Sequence, residues 1–306
     1  MRDAVDEQVT HAAGGLWPVD RLLMGALAAL ALLALAAQPR PAPALLLFGG
    51  LALFVLAGAR LGPATRQGSF VHAFAPLAVV VGIYESVGFL AGALNPTRWD
   101  ATFAALDQRL FGSLVPAWRG VLGRPPWLCD LLSVCYFSYY VVPLAMAVAL
   151  YLQGRHREHR RFVFSLVATL LATYAGYFLW PTSGPRVPAA EAEVVLGGGA
   201  LSSALRVFIA GCELNALDAF PSGHTALSVV FLALGWKLFP RWRAPLALTV
   251  GGIVYSTVFL SHHYLVDVVA GALLGLGLLP LLPYGERALH RHGRLTWLSA
   301  KGASPS

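Results

Sequence analysis

Two short sequences decide how this chain folds: Phe220-Pro221-Ser222-Gly223-His224 and Ser261-His262-His263-Tyr264-Leu265-Val266-Asp267. The residues between them are mostly apolar and are interrupted by one basic turn at 240–243. A helix needs about 20 apolar residues to span a bilayer, so this segment has about the length of two crossings. Two crossings return a chain to the side from which it left. We therefore predict that the two histidine motifs lie at the same face of a membrane.

The composition of the whole chain agrees with a membrane environment. Of its 306 residues, 57% are hydrophobic and 12% are charged, whereas a soluble domain carries about 25% charged residues. We predict an all-α, polytopic helical bundle, because a backbone in lipid must satisfy its own hydrogen bonds. The net charge is +7, but the basic residues cluster in short loops, which favours membrane orientation over nucleic-acid binding. The three cysteines do not have the spacing of a metal site or a disulfide framework.

Apolar runs along the chain predict about eight membrane spans. They cover residues 21–37, 44–59, 70–94, 127–152, 162–180, 221–239, 244–260 and 264–283. Residues 95–126 are too charged to cross lipid and predict an amphipathic segment at the interface. Residues 181–219 are rich in Gly and Pro and predict a long loop outside the membrane.

The distribution of charge predicts the orientation of these spans. An even number of spans places both termini on one side, and most of the 22 Lys and Arg residues fall on that side. Basic loops are retained in the cytoplasm, so we predict cytoplasmic termini. The same count places Arg186, His224 and His263 on the extracytoplasmic side.

The second motif has the spacing of an oriented imidazole. His263 and Asp267 are four residues apart and would share one face of a helix. A carboxylate there can accept the Nδ1 proton of the imidazole, which leaves Nε2 with a lone pair for nucleophilic or basic chemistry.

The first motif and an upstream arginine have the properties of a phosphate site. Pro221 and Ser222 predict a helix start, where exposed N–H groups bind phosphate oxygens, and Gly223 lets the backbone approach closely. His224 can protonate a leaving oxygen. The rigid turn at 181–186 ends in Arg186, whose guanidinium is a good partner for phosphate.

These motifs resemble the type 2 phosphatidic acid phosphatase (PAP2) superfamily. Pro-Ser-Gly-His is complete at 221–224, and His-x-x-x-Asp follows at 263–267. The lysine and the arginine of the flanking family motifs are replaced by Leu179 and Thr257. The sequences at 106–112, 181–186 and 262–267 are closer to the inositol-phosphorylceramide synthase branch.

The resemblance implies a domain organisation and a chemistry. It covers residues 70–283 as a six-helix catalytic domain, preceded by a cytoplasmic tail at 1–20 and two extra membrane helices at 21–69, and followed by a basic cytoplasmic tail at 284–306. It implies that His263 attacks phosphorus, that Asp267 orients it, and that His224 protonates the departing alkoxide. Arg186, Ser222 and Gly223 would hold the phosphoryl oxygens.

The expected function is that of a lipid phosphatase or phosphotransferase in a bacterial plasma membrane. The expected substrate is a phospholipid or a polyprenyl-type phosphate. The acceptor is either water or an alcohol. With an alcohol, the reaction would transfer inositol phosphate or a similar headgroup. No cofactor and no nucleic-acid partner are expected. His-x-x-x-Asp is also a metal-ligand spacing, but we favour a metal-free site. The alternatives are a carrier or flippase, for which paired charges and internal repeats are missing, and an inactive scaffold.

Other polar residues have simpler explanations. We interpret His72, His156 and His159 as packing or surface residues. We expect Asp107 and Arg109 to pin the interfacial segment at 95–126. For Glu85 and His262, a direct role in the site and a role in packing both remain open.

Overall fold

The computed structural model describes residues 15–37, 39–62, 65–187, 197–212 and 215–301, with side chains described to residue 290. Within these residues the fold is all-α, with eleven α-helices and one 3-10 turn. The helices are α1 (Pro18–Ala37), α2 (Ala42–Leu61), α3 (Arg66–Leu94), α4 (Asp100–Phe111), α5 (Leu114–Leu122), α6 (Pro126–Leu152), α7 (His156–Leu179), α8 (Ala200–Cys212), α9 (Gly223–Leu238), α10 (Arg243–Phe259) and α11 (Leu265–Lys301).

Six of these helices are long and apolar enough to cross a membrane, namely α1, α2, α3, α6, α7 and α11. The prediction of a polytopic helical membrane protein is therefore confirmed. The predicted spans at 221–239 and 244–260 fall on α9 and α10, which have 16 and 17 residues. These helices are shorter than the roughly 20 residues of an untilted crossing, so a total of eight spans stays a prediction.

The connecting segments contain more helix than the sequence indicated. Residues 95–126 form two short helices, α4 and α5, which are separated by a turn with Gly112 at φ 54°. The predicted loop at 181–219 contains the apolar helix α8, so this segment is not a loop throughout. The glycines before α8 indicated a loop, although they are followed by an apolar run that forms a helix and packs against α6. The last helix continues past residue 283 to Lys301, and the predicted tail is therefore helical over much of its length.

The two N-terminal helices pack against the others instead of standing apart. Buried residues of α1 and α2, such as Leu23 and Phe48, belong to the same apolar core as residues of α3 and α7. Leucines such as Leu46 and Leu248 on the outer surface are exposed, as expected for side chains that face lipid tails. Of the predicted tail at 1–20, residues 1–14 lie outside the described residues.

Helices α9 and α11 approach each other closely at two glycines. A Cβ atom on Gly271 would lie 2.4 Å from the carbonyl oxygen of Ser222, and one on Gly275 would lie 2.7 Å from that of Ala226. These distances exclude any side chain at either position without movement of a backbone. The small-xxx-small spacing of Gly271 and Gly275 is typical of closely packed membrane helices. It brings the start of α9 beside the start of α11.

Candidate active site

The structure brings the two histidine motifs together. His224 lies in the first turn of α9, and His263 lies two residues before α11. The centroids of their imidazole rings are 5.7 Å apart, and the ring planes are inclined by 64°. The backbone N–H of Ser222 donates to the carbonyl of Asp267 at 3.0 Å, which joins the two motifs directly.

Asp267 lies beside His263 but also holds the backbone of its own turn. The distance from His263 Nδ1 to Asp267 Oδ2 is 3.5 Å, and both side chains are buried. The same Oδ2 accepts the backbone N–H of Tyr264 at 2.9 Å. A separation of 3.5 Å is longer than a normal hydrogen bond. Catalytic hydrogen bonds are often long before substrate binds.

Arg186 is held by an acidic residue to which the sequence analysis gave no role. Its Nη2 donates to Asp218 Oδ1 at 2.6 Å, and its Nη1 donates to the carbonyl of Asn215 at 3.3 Å. The hydroxyl of Tyr84 donates to the other carboxylate oxygen of Asp218. The guanidinium is therefore fixed in direction while part of it stays accessible.

Ser222 and Gly223 form the start of α9. The hydroxyl oxygen of Ser222 accepts the N–H of Thr225 at 3.3 Å and so caps the helix. Since the Ser222 N–H already donates to Asp267, the first N–H groups of the helix that remain for a ligand begin at Gly223. A Cβ on Gly223 would lie 2.7 Å from the hydroxyl of Tyr177, so any side chain there requires that hydroxyl to move. Contact of Ser222 or Gly223 with a phosphate stays a prediction.

Three tyrosines of α6 surround His224. The centroids of Tyr136, Tyr139 and Tyr140 lie 4.5, 4.1 and 6.0 Å from that of the imidazole. The Nε2 atom of His224 is buried and has no hydrogen-bond partner among the described residues. A buried polar atom without a partner is unfavourable unless a ligand supplies one. The sequence analysis missed the tyrosines, although the spacing of 136 and 140 places two of them on one helix face.

His262 stacks on Tyr136, one of these three tyrosines. Its ring centroid lies 4.1 Å from that of Tyr136. Burial, followed by the positive charge of Arg186, lowers the pKa of His262 to about 3. The imidazole is therefore neutral near pH 7.

Helix α4 connects two of the motif segments. Asp100 Oδ1 accepts the backbone N–H groups of Ser183 at 2.8 Å and Gly184 at 3.1 Å, in the turn that carries Arg186. Asp107 Oδ1 accepts the N–H of Val266 at 2.9 Å, in the first turn of α11. The two carboxylates are seven residues apart and so share one helix face. Asp107 thus fixes the turn after His263.

Arg119 of α5 holds the end of α10. Its Nε donates to the carbonyl of Phe259 at 3.1 Å, and its Nη2 donates to the carbonyl of Val258 at 2.8 Å and to Ser261 Oγ at 2.6 Å. Ser261 has a positive φ of 62°, which is unusual for a residue other than glycine. Thr257 occupies the family arginine position, and the guanidinium of Arg119 reaches the same turn from a different helix.

We expect Asp107→Ala to lower turnover by about tenfold, because it releases the turn that carries His263. The substitution leaves the buried N–H group of Val266 unpaired, which costs about 1–3 kcal/mol of folding free energy. Asp107→Asn retains an oxygen that can accept the N–H of Val266 and should restore most of the activity. The turnover of both variants is measured in proteoliposomes. Equal activity of the alanine and asparagine variants would contradict a positioning role for this hydrogen bond.

Comparison with known proteins identifies the class. A family model described as PAP2 superfamily matches residues 101–281, more than half of the chain. The chain therefore belongs to the PAP2 superfamily, whose members are typically metal-independent phosphatases or phosphotransferases. Within the described residues, no group of three or more His, Cys, Asp or Glu side chains could hold a metal ion.

Curated relatives are similar over part of the chain. A phosphoinositol dihydroceramide synthase of Bacteroides thetaiotaomicron is 27% identical over 196 residues, 56% of this chain and 63% of that protein. An inositol phosphorylceramide synthase of Candida albicans is 37% identical over 76 residues, 24% of this chain and 16% of that protein. A PA-phosphatase related-family protein of Dictyostelium discoideum is 22% identical over 242 residues, 66% of this chain and 44% of that protein.

These matches confirm the resemblance to the inositol-phosphorylceramide synthase branch at the level of distant relatives. The chain spans less than two thirds of the length of each of these relatives. No solved structure matches the chain.

Proposed function

We propose that this chain is a lipid phosphotransferase that moves a phosphate-linked headgroup from a phospholipid to an alcohol through a phosphohistidine. The observation that carries the proposal is the pair of imidazoles with ring centroids 5.7 Å apart, of which that of His263 is buried. One of them follows Pro-Ser-Gly, and the other has a carboxylate at 3.5 Å. A phosphorus atom between the rings would meet a nucleophile on one side and a proton donor on the other.

In the first half-reaction His263 Nε2 forms a bond to phosphorus while the bond from phosphorus to the departing oxygen breaks. His224 Nε2 gives its proton to that oxygen, so the lipid leaves as an alcohol. Asp267 accepts a hydrogen bond from His263 Nδ1–H and stabilises the positive charge on the ring. The guanidinium of Arg186 and the N–H groups at the start of α9 would stabilise the equatorial phosphoryl oxygens.

In the second half-reaction the acceptor hydroxyl attacks the phosphohistidine. His224, now neutral, takes the proton of that hydroxyl, and the bond from His263 to phosphorus breaks. The two half-reactions together return both imidazoles to their starting protonation. Water in place of the alcohol would make the same site a phosphatase.

The charge of the site favours a diester donor over a monoester. Two cations of the family pattern are replaced by Leu179 and Thr257. Arg186 is the cationic partner that we assign to phosphate, and Asp218 already neutralises part of its charge. A phosphodiester carries one negative charge fewer than a fully ionised monoester, so it requires less compensation. The names of the two ceramide-related relatives agree with an inositol phosphate headgroup and a long-chain alcohol acceptor.

We place this site at the extracytoplasmic face of a bacterial plasma membrane. The support is the clustering of Lys and Arg on the opposite loops and the bacterial source of one relative. A donor lipid would then reach the histidines from the outer leaflet.

The test uses the purified full-length protein in proteoliposomes with phosphatidylinositol or phosphatidate as donor, with and without dihydroceramide. We expect phosphatidylinositol with dihydroceramide to yield a new phosphodiester, detected by mass, and phosphatidate to react at least about tenfold more slowly because of its extra charge. Activity should survive a strong chelator and be lost to vanadate. If the protein turned over phosphatidate but not phosphatidylinositol, it would be a phosphatase, and the assignment of a diester donor would be refuted. No turnover of any donor would favour an inactive scaffold.

A further inference from the structure

A cavity of about 440 Å³ lies at the end of the bundle opposite to the histidine pair. Its walls come from the residue before α1, the end of α2, the start of α3, the end of α6 and the start of α7. The other ends of α3 and α7 lead to Asp100 and to the turn that carries Arg186. The cavity is therefore separated from the candidate active site by the length of these helices.

The lining of this cavity is basic. Arg66 and Arg160 line it together with His72, His156 and His159, and none of the described residues that line it is acidic. The carboxylate of Asp20 contacts two of the lining residues: it accepts from His72 Nε2 at 2.8 Å and from the backbone N–H of Trp17 at 2.7 Å. The guanidinium of Arg160 lies over the ring of Trp17, 5.3 Å from its centroid. Among the described residues, the side chains that line this space thus carry an excess of positive charge.

One buried histidine in this lining has an unsatisfied nitrogen. His159 is only 1% exposed, and its Nε2 atom has no hydrogen-bond partner among the described residues. Its ring is held by edge contacts with Phe74 and Tyr151, at centroid distances of 5.1 and 5.6 Å. A polar atom buried in this way is costly unless a bound group completes its hydrogen bond. The cavity beside it provides the space for that group.

We propose that this cavity is a second binding site, which takes a phosphate-bearing anion. Arg66 and Arg160 supply the cationic contacts, and His159 supplies a hydrogen bond. The volume lies within the range of about 300–1,000 Å³ found for small-molecule pockets, and it exceeds what a phosphate group alone occupies. Apolar walls at Ala59 and Leu152 suit the carbon atoms of a lipid headgroup and its glycerol.

The position of the cavity agrees with this chemistry. The basic residues at 155–161, at the start of α7, form part of its rim, and the distribution of charge predicts that this end is cytoplasmic. Anionic lipids give the cytoplasmic leaflet a negative surface potential that attracts basic segments. The phosphate group is the anion that the site recognises, and it occurs both in a lipid headgroup and in free phosphate.

The test uses the full-length protein in neutral detergent with His263→Ala and Arg186→Gln, which suppress phosphate binding at the other site. The probes are phosphatidylglycerol, phosphatidylcholine and inorganic phosphate, with Kd measured by isothermal titration. We expect Arg66→Gln/Arg160→Gln to weaken phosphatidylglycerol binding by about tenfold or more, the effect of losing one or two charge-assisted hydrogen bonds. Tighter binding of the lipid than of inorganic phosphate identifies a headgroup site, and equal binding identifies a free-phosphate site.

The matched control is Arg60→Gln/Arg157→Gln, which removes the same charge from the same end of the protein at exposed positions outside the cavity lining. Equal losses in the two double variants, or no binding of any probe to the parent, would overturn the proposal. If the cavity variant does not fold, His159→Phe retains the ring contacts and removes the unpartnered nitrogen. This variant should weaken binding about threefold or more. A change in melting temperature with an unaltered Kd would show a packing role and refute the site.

Discussion

His263→Ala is expected to abolish phosphate transfer, with a fall in kcat of about 10⁴-fold or more. Loss of a covalent nucleophile removes both half-reactions at once, and such losses in enzymes reach about 10⁶-fold. The protein should still fold, because the backbone N–H of residue 263 can still donate to the carbonyl of Thr257. The contact with the carboxylate of Asp267 at 3.5 Å and the ring contact with His224 are lost.

The measurement should separate chemistry from folding. Incubation with a phosphorus-labelled donor should label the parent protein in an acid-labile, base-stable form, as expected of a phosphohistidine. His263→Ala should abolish the label, whereas His156→Ala, an exposed histidine at the opposite end of the bundle, should retain it. Label that persists in His263→Ala, or turnover near that of the parent, would refute the assignment of the nucleophile.

Gly271→Leu is expected to lower kcat by about 10²-fold without changing any group that reacts, since a displacement of about 1 Å at an active site has effects of that size. A Cβ at this position would lie 2.4 Å from the Ser222 carbonyl, so the start of α9 must move away from α11. The hydrogen bond from Ser222 to the Asp267 carbonyl would break with it. The distance between the imidazoles of His224 and His263 would then increase.

Gly277 provides a matched control on the same helix. A Cβ there would meet no heavy atom within 4 Å, and the position is exposed. Gly277→Leu makes the same gain in helix propensity, about 1 kcal/mol, without the close contact. Equal activity of the two variants would show that the approach of α9 to α11 does not control the site.

The sequence carried the information on fold class because that information is local. Runs of apolar residues predict spans, and six of the eight predicted spans lie on helices of adequate length. The motif that starts at Pro221 predicted the N-terminus of α9, since proline and a serine cap act within one helical turn. The limit of such arguments is length, because α9 is shorter than its apolar run indicated, and both α9 and α10 fall below the roughly 20 residues of an untilted crossing.

The groups that position the site were not predictable in this way. Asp100, Asp107 and Arg119 were assigned at most to the interfacial segment, although each one holds backbone in a motif segment. The partners of Asp107 and Arg119 lie 159 and 139 residues away along the chain. Asp218, which holds Arg186, belongs to no sequence motif that would have indicated its role. The interpretation of His72 and His159 as packing or surface residues did not predict that they line the same cavity.

By itself, the amino-acid sequence determined that the chain is helical, that it is built for a membrane, and that it belongs to a family with two histidine motifs. These properties depend on composition and on residues within a few turns of one another. Only the tertiary structure decided how the motifs are held, by α4, α5 and the tyrosines of α6, and where the basic cavity lies. A hydrogen bond between distant segments depends on the packing of all the helices between them, and that packing leaves no periodic signal in the sequence.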